Sequence, residues 1–188
     1  MSKPTIVLVH GAFGDASSWR GVFDLLDGGD YTLFAAALPL RGVAADVAYL
    51  EAVIAQLDGP VILVGHSYAG SVITVAGASD KVAALVYVAG FVPDDVAAFM
   101  AHAQRPLVAT AFEEAAAAAA WHTKPSWGVF GTGDQPIAPQ LHRFSYDRAG
   151  SAATEIEGAS HFAMVSEPDI VAGVIRDAVK SVAADLAA

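Results

Sequence analysis

The sequence contains no cysteine, so disulfide bonds, thiolate metal ligands and a cysteine nucleophile are all excluded. Positive charge is also scarce, because 10 Lys and Arg stand against 20 Asp and Glu and give a formal net charge of -10. A surface of this sign repels phosphate backbones and anionic lipid headgroups. We therefore expect neither nucleic acid nor a membrane surface as a partner.

Long hydrophobic runs are missing as well. The longest stretch without a charged residue, 59–79, has the length of a membrane span but contains Pro60, four glycines, three serines, a threonine and a histidine. It fits a strand, a turn and a helix better. The first residues, 1–4, lack the basic and apolar regions of a secretory leader. These features predict a soluble, cytoplasmic protein, while the oligomeric state stays open, with a homodimer among the alternatives.

Short apolar runs recur along the 188 residues, and most are apolar on both faces, as buried parallel strands are. They cover residues 5–9, 31–37, 61–64, 82–88, 127–130 and 153–156. Helical patterns lie between and after them, at residues 18–26, 43–57, 69–78, 138–149 and 168–186. The alternation predicts βαβ units, and therefore a single α/β domain over residues 1–188 with helices on both faces of its sheet.

Charge marks the start of two of these helices. Glu167 and Asp169 flank Pro168, and a first helical turn favours both a proline and acidic residues. Asp46 lies early in the helix predicted at 43–57, where its carboxylate complements the helix dipole.

Residues 91–125 interrupt the pattern, because they separate two predicted strands by far more than the few residues of an ordinary loop. We interpret them as an insertion with two helices, at residues 94–101 and 105–120. The second ends in six consecutive alanines, which suit a surface helix with little side-chain interaction. A shortened or engineered join is the alternative.

One strand-to-helix turn carries a candidate nucleophile. The segment GHSYAG, residues 65–70, follows a predicted strand and precedes a helix, which is the context of a nucleophile elbow. Small residues are needed at such a turn because the serine backbone is strained and neighbouring chain passes close by. The pattern predicts Ser67 as a catalytic nucleophile, with an ordinary glycine-rich turn as the alternative.

The loop HGAFG, residues 10–14, follows the first predicted strand and can direct a backbone N–H into the same cavity. Together with the residue after the serine, it predicts an oxyanion hole formed by the N–H groups of Ala12 and Tyr68. A glycine-rich loop with no catalytic role is the alternative.

An acid and a base follow two later strands, at the sheet edge where open α/β folds keep their sites. Asp134 lies in GTGDQPI, residues 131–137, and His161 lies in GASHF, residues 158–162. The chain order of Ser67, Asp134 and His161 is that of a triad in which the histidine is the base and the aspartate orients it. Asp94 and Asp95, after the fourth predicted strand, are the alternative acid.

Four segments together resemble the α/β-hydrolase superfamily, in particular its small esterases close to plant hydroxynitrile lyases and methyl-ester hydrolases. They are IVLVHGA at 6–12, VILVGHSYAG at 61–70, VYVAGFVPD at 86–94 and EIEGASHFAM at 155–164. The resemblance implies six parallel strands in the order 2-1-3-4-5-6, the triad named above, and a role for 91–125 as a reduced helical cap. The sequence departs from the family at Ala69, where glycine is usual, and in a cap shorter than that of most relatives.

The main prediction is a serine esterase that needs no cofactor and cleaves small carboxylic esters through an acyl-enzyme. Two alternatives stay open: a lyase or cofactor-free perhydrolase on the same triad, and a catalytically weak ligand-binding or engineered minimal scaffold. In the hydroxynitrile lyases that the sequence resembles, a lysine follows the catalytic histidine and a threonine follows the oxyanion-loop histidine. Phe162 and Gly11 hold these positions here, which favours the esterase.

The other histidines receive structural interpretations. His66 is expected to pack or hydrogen-bond at the elbow, and a structural role is the interpretation for His10. His102, His122 and His142 lack carboxylate or histidine partners at ligand-like spacing, so no metal site is predicted.

Aromatic side chains are the candidates for an apolar substrate pocket. We name Phe13, Trp19 and Phe162, with Trp121 and Trp127 as further candidates. Aromatic residues near strand ends are more often part of the core, so packing is the competing interpretation.

Overall fold

The computed structural model describes residues 3–90 and 116–187, whose strands form one parallel sheet. The strands are β1 (Thr5–Val9), β2 (Thr32–Ala36), β3 (Val61–His66), β4 (Val82–Val88), β5 (Ser126–Gly131) and β6 (Ala152–Ile156). Their order across the sheet is β2-β1-β3-β4-β5-β6, and every neighbouring pair is parallel. The predicted α/β class, strand number and strand order are therefore confirmed.

The described residues also include six α-helices. They are α1 (Arg20–Leu26), α2 (Val43–Gln56), α3 (Ala69–Ala76), α4 (Pro139–Ala149), α5 (Ala163–Ser166) and α6 (Pro168–Ala187). Short 3-10 turns cover Ala16–Trp19 and Ala120–His122. None of the helices in the described part of the chain is both long and apolar enough to cross a membrane.

Helices cover both faces of the sheet, because its central strands are apolar on both sides. In β1, Val7 and Val9 belong to one buried cluster, while Ile6 and Leu8 belong to the other. The first cluster includes residues of α2, α3 and α4, and the second includes residues of α1, α5 and α6. Full burial of a Val, Leu or Ile side chain contributes about 1.5–3 kcal/mol, so the two clusters hold the three layers together.

The helix predicted at 105–120 is wrong at its C-terminal end, while the rest of it and the helix at 94–101 lie outside the described residues. Residues 116–119 are not helical, and Ala120 begins a 3-10 turn. Tertiary packing explains the difference, since Ala120 and Trp121 are buried and Ala119 packs against the core. The end of the alanine run is therefore anchored in the core instead of forming a surface helix.

Candidate active site

Three side chains predicted from separate strand ends meet at one edge of the sheet. Ser67 follows β3, Asp134 follows β5 and His161 follows β6. His161 Nε2 lies 2.9 Å from Ser67 Oγ, and His161 Nδ1 lies 2.8 Å from Asp134 Oδ2. All three residues are buried, with at most 5% of their surface exposed. Because the strands are parallel, their carboxyl ends share this edge and bring the three side chains together.

Ser67 occupies a strained backbone conformation between β3 and α3. Its φ is +51°, a value that residues with a side chain rarely adopt and that costs about 1–3 kcal/mol. The Ser67 N–H donates a 3.1 Å hydrogen bond to the Val88 carbonyl, and the Ser67 carbonyl accepts one of 2.8 Å from the Gly70 N–H. These two bonds tie the turn to β4 and to α3, so the strained residue is held from both sides.

The departure from the family pattern at Ala69 fits this turn. Ala69 is fully buried, and its carbonyl packs against Gly65. A Cβ atom added at Gly65 would lie only 2.9 Å from the Ala69 carbonyl oxygen and from Ile73 Cδ1. The close approach at the elbow therefore depends on glycine at position 65, while position 69 accommodates a methyl group.

The loop after β1 lies directly against the elbow. A Cβ atom added at Gly11 would lie 2.7 Å from His66 Nδ1 and 3.1 Å from Ser67 Cβ, so only glycine allows this approach. His10 Nδ1–H donates to the Gly11 carbonyl at 2.8 Å, while its Nε2 accepts from the Leu38 N–H at 3.0 Å. The His10 ring thus supports the loop, which is compatible with the structural interpretation of His10.

The loops after β5 and β6 are fastened to each other, which sets the position of the acid relative to the base. A Cβ atom added at Gly131 would lie 1.9 Å from the Ala159 carbonyl oxygen, so the two backbone segments are in direct contact at this point. The Thr132 hydroxyl accepts a 2.8 Å hydrogen bond from the Gly158 N–H. Asp134 and His161 follow these contact residues by two or three positions.

Asp134 is buried and carries several hydrogen bonds. Its Oδ1 accepts from the Ile137 N–H at 2.9 Å, and its Oδ2 contacts both His161 and His142. Burial by itself raises the pKa of Asp134, but the hydrogen bonds from His142, His161 and Ile137 outweigh it and hold this pKa well below its usual range. The carboxylate is therefore ionised at neutral pH.

His66 supports the backbone of the candidate base. Its Nε2–H donates a 3.0 Å hydrogen bond to the His161 carbonyl, and its ring centroid lies 5.0 Å from that of His161. Burial, followed by the neighbouring His161, lowers the pKa of His66 to about 3. A neutral ring with a proton on Nε2 satisfies this contact.

One residue of the site was missed by the sequence interpretation. His142 Nε2 lies 3.0 Å from Asp134 Oδ2, a contact that the search for partners at ligand-like sequence spacing did not find. The two residues are eight positions apart, with a turn between them in which the Ile137 N–H bonds to Asp134. The only signal in the sequence was the polar start of α4, and it did not specify which face of this helix would contact Asp134.

The three aromatic candidates for a pocket lie in different surroundings. Phe162 is 45% exposed, and its ring lies 5.7 Å from the ring of His161 and 5.1 Å from that of His66. Phe13 is partly buried against the core and has a positive φ of 66°. Trp19 is fully buried in the second cluster, which includes residues of α1, α5 and α6. Their role in substrate binding stays a prediction, with packing the competing interpretation for Trp19.

Comparisons with known proteins agree with this architecture. Residues 6–112 match the model of the alpha/beta hydrolase family. A pyrethroid hydrolase from Sphingobium faniae has 16% identity and a TM-score of 0.78, over 94% of this chain and 97% of that one. Polyneuridine aldehyde esterase has 17% identity and a TM-score of 0.76, over 93% and 98% of the two chains.

A thermophilic esterase from Thermogutta terrifontis, solved with malate bound, has 16% identity and a TM-score of 0.74, over 96% of this chain and 91% of that one. At such identities the likeness shows the fold. No curated protein matches the sequence significantly.

Proposed function

The chain belongs to the alpha/beta hydrolase family, and from that premise we propose that it is a serine esterase that cleaves small carboxylic esters through an acyl-enzyme. The observation that carries the proposal is the continuous hydrogen-bonded series from Ser67 Oγ through the His161 ring to Asp134 Oδ2. An ionised carboxylate can only accept hydrogen bonds, so His161 carries its proton on Nδ1 and presents a bare Nε2 to the serine hydroxyl. That tautomer is the one a general base requires.

In the proposed reaction, His161 Nε2 takes the Ser67 hydroxyl proton while Oγ attacks the ester carbonyl carbon. The tetrahedral intermediate collapses when the proton passes from His161 to the departing alcohol oxygen, which leaves an acyl-serine. A water molecule then gives a proton to His161 and attacks the acyl carbon, and the carboxylic acid is released as Ser67 regains its proton. No cofactor takes part in this sequence.

The oxyanion hole is proposed at the backbone N–H groups of Ala12 and Tyr68. Its support is the contact between the loop after β1 and the elbow, where Gly11 lies against Ser67 Cβ. Tyr68 directly follows the nucleophile, and the Ser67 N–H itself is occupied by the Val88 carbonyl. Residues 91–125 belong to the same proposal, as a short cap within a single domain of residues 1–188.

Esterase activity is favoured over cyanohydrin cleavage by the residues beside the candidate base. Phe162 is exposed next to His161, and Gly11 lies under the elbow. Phe162 has an uncharged apolar ring and Gly11 has no side chain, so neither residue offers a positive charge or a hydroxyl group to a departing cyanide. We expect hydrolysis of short-acyl aryl esters and no appreciable cleavage of mandelonitrile when both are assayed on one preparation at the same pH.

The decisive experiment is labelling with a fluorophosphonate, which reacts only with an activated serine. Intact-mass spectrometry and peptide mapping should find a single adduct on Ser67. Ser67→Ala should abolish the adduct and lower ester turnover by about 10³- to 10⁶-fold. Ser71→Ala, a matched change in the first turn of α3, serves as the control and should be labelled like the parent.

Several outcomes would contradict the proposal. An unlabelled, folded parent protein favours the ligand-binding alternative. Ser67→Ala activity within about tenfold of the parent would remove the nucleophile from the mechanism. Cyanide release from mandelonitrile that exceeds ester turnover would assign a lyase instead.

A further inference from the structure

The carboxylate of Asp134 is shared by two histidines. His142, on the first turns of α4, places its Nε2 3.0 Å from Asp134 Oδ2, the same oxygen that His161 Nδ1 contacts at 2.8 Å. The side chain of His142 is 1% exposed and that of Asp134 is fully buried. The second contact is therefore as shielded from water as the first.

Packing fixes the ring of His142 in this position. The ring stacks on Phe130 of β5, with centroids 4.9 Å apart and planes inclined by 28°. It also stacks on Tyr146, one turn later in α4, at 5.7 Å and the same inclination. A ring held on two sides has little freedom to turn away from Asp134.

The chemistry of the shared oxygen assigns the protons. Because an ionised carboxylate is only an acceptor, His142 must donate from Nε2 as His161 donates from Nδ1. Asp134 then has three donors in fixed positions, with the Ile137 N–H at Oδ1 and the two rings at Oδ2. A carboxylate held by His161 alone would be free to rotate, whereas the other two donors fix its plane.

We propose that His142 is a positioning residue of the reaction: by donating to Asp134 Oδ2 it holds the carboxylate in the orientation that keeps His161 aimed at Ser67. The inference rests on the proposed serine esterase function, and it adds a fourth side chain to the series. His142 touches neither the nucleophile nor the base, so it acts through Asp134.

The shared oxygen also has an electrostatic consequence. The hydrogen bond from His142 draws negative charge on Oδ2 away from His161. Without that donor, Asp134 stabilises the protonated and inactive form of His161 more strongly. A variant that lacks the donor should therefore need a higher pH to reach half of its maximal rate.

Other charged or titratable groups lie around the two histidines that share Asp134. They are His66 on β3, Tyr87 on β4, Arg143 and Tyr146 on α4, and Glu155 on β6. Burial lowers the pKa of His66 to about 3 and raises the pKa values of Tyr87 and Tyr146. Arg143 is paired with Glu155 at the surface. None of these groups changes charge near neutral pH, so a shift of the rate profile on substitution is traceable to His142.

The test compares two substitutions that separate the donor from the ring. His142→Phe keeps an aromatic ring between Phe130 and Tyr146 but has no donor, while His142→Gln keeps an uncharged N–H donor at similar reach. Gln140→Ala, at an exposed position of the same helix, is the matched control. For each protein we would measure kcat and KM for a short-acyl aryl ester across pH, the thermal midpoint, and the NMR titration of the His161 ring.

We expect His142→Phe to lower kcat about tenfold while KM stays within about twofold of the parent. The pH of half-maximal rate and the midpoint of the His161 ring titration should both rise, by about half a unit to one unit. His142→Gln should recover most of kcat and most of the pH midpoint. A merely structural role would lower the thermal midpoint without moving either pH midpoint.

The inference is overturned if folded His142→Phe keeps kcat within about twofold of the parent and both pH midpoints unchanged. It is also overturned if the Gln variant is no better than the Phe variant. Failure of the proposed function gives a different result, an unlabelled parent without esterase activity. In that case the role of His142 in the reaction is overturned together with the proposed function.

Discussion

Two buried aspartates, Asp46 and Asp134, hold loops at the same edge of the sheet with different kinds of donor. Asp46 accepts from the Arg41 N–H at 3.2 Å and from the Tyr68 hydroxyl at 2.8 Å. Asp134 accepts from a backbone N–H and from two imidazole rings. Both are at most 3% exposed, so burial alone does not distinguish them. What differs is whether the partner can take and release a proton near neutral pH.

This difference in donors indicates different roles for the two carboxylates. The partners of Asp46 are a peptide group and a phenol, so its contacts fasten the start of α2 to Tyr68, the residue after the candidate nucleophile. One partner of Asp134 is the proposed base, His161, and stabilisation of its positive charge would lower the barrier of the proposed reaction. The contacts of Asp134 therefore suit acid–base chemistry, whereas those of Asp46 suit a structural role.

The largest expected effect is a difference in kcat between variants of the two aspartates. Asp134→Asn should lower kcat by about 10⁴-fold, because the amide favours the wrong His161 tautomer and cannot stabilise the imidazolium, as in the comparable change in a serine protease. Asp46→Asn should stay within about tenfold of the parent. Side-by-side ester kinetics on purified proteins measure both.

The alternative acids belong in the same experiment. If Asp94→Asn or Asp95→Asn is more damaging than Asp134→Asn, the triad acid has been assigned to the wrong strand.

The next expected effect is on stability, and here the Asp46 variant is the one expected to change. Asp46→Asn leaves one side-chain oxygen for the Arg41 N–H and the Tyr68 hydroxyl and turns an amide N–H group toward one of these donors, so it should lower the free energy of unfolding by about 1–3 kcal/mol. Urea unfolding, with the midpoint shifting at constant slope, checks this expectation. Glu51→Gln, an exposed change on the same helix, is the control and should leave the midpoint in place. An Asp46→Asn midpoint equal to that of the control would contradict the structural role.

Sequence reasoning found the features that strand periodicity determines. Ser67, Asp134 and His161 each follow an apolar run, and parallel strands necessarily bring such positions to one edge. The contacts of Asp46 and His142 were not predictable in this way, because they depend on how α2 and α4 are rotated against the loops. For Asp46 the sequence indicated only a favourable place in a first helical turn. Similarly, residues 116–120 have high helix propensity, but packing of Ala120 and Trp121 into the core overrides it.

The smallest expected effect is a pH dependence of stability that separates His66 from Asp134. His66 has a pKa of about 3 in the folded chain against an ordinary value of 6.5, so the unfolded chain binds one more proton between these values. The stability that neutral His66 contributes is fully present above pH 6.5 and is lost as the pH falls toward 3. The lowered pKa of Asp134 acts in a different window, since its contribution is present above its ordinary value of 3.8 and is lost only below it.

Between about pH 5.5 and pH 4 the parent should therefore lose about 1.4 kcal/mol more per pH unit than His66→Gln, whose amide keeps a donor for the His161 carbonyl but takes up no proton. Urea unfolding at several pH values measures the two slopes, with His122→Gln as the control for loss of an exposed histidine. Parallel curves for the parent and His66→Gln would mean that His66 takes up its proton while the chain is still folded. A loss of stability that appears below pH 4 equally in both proteins belongs to Asp134, because both retain that carboxylate.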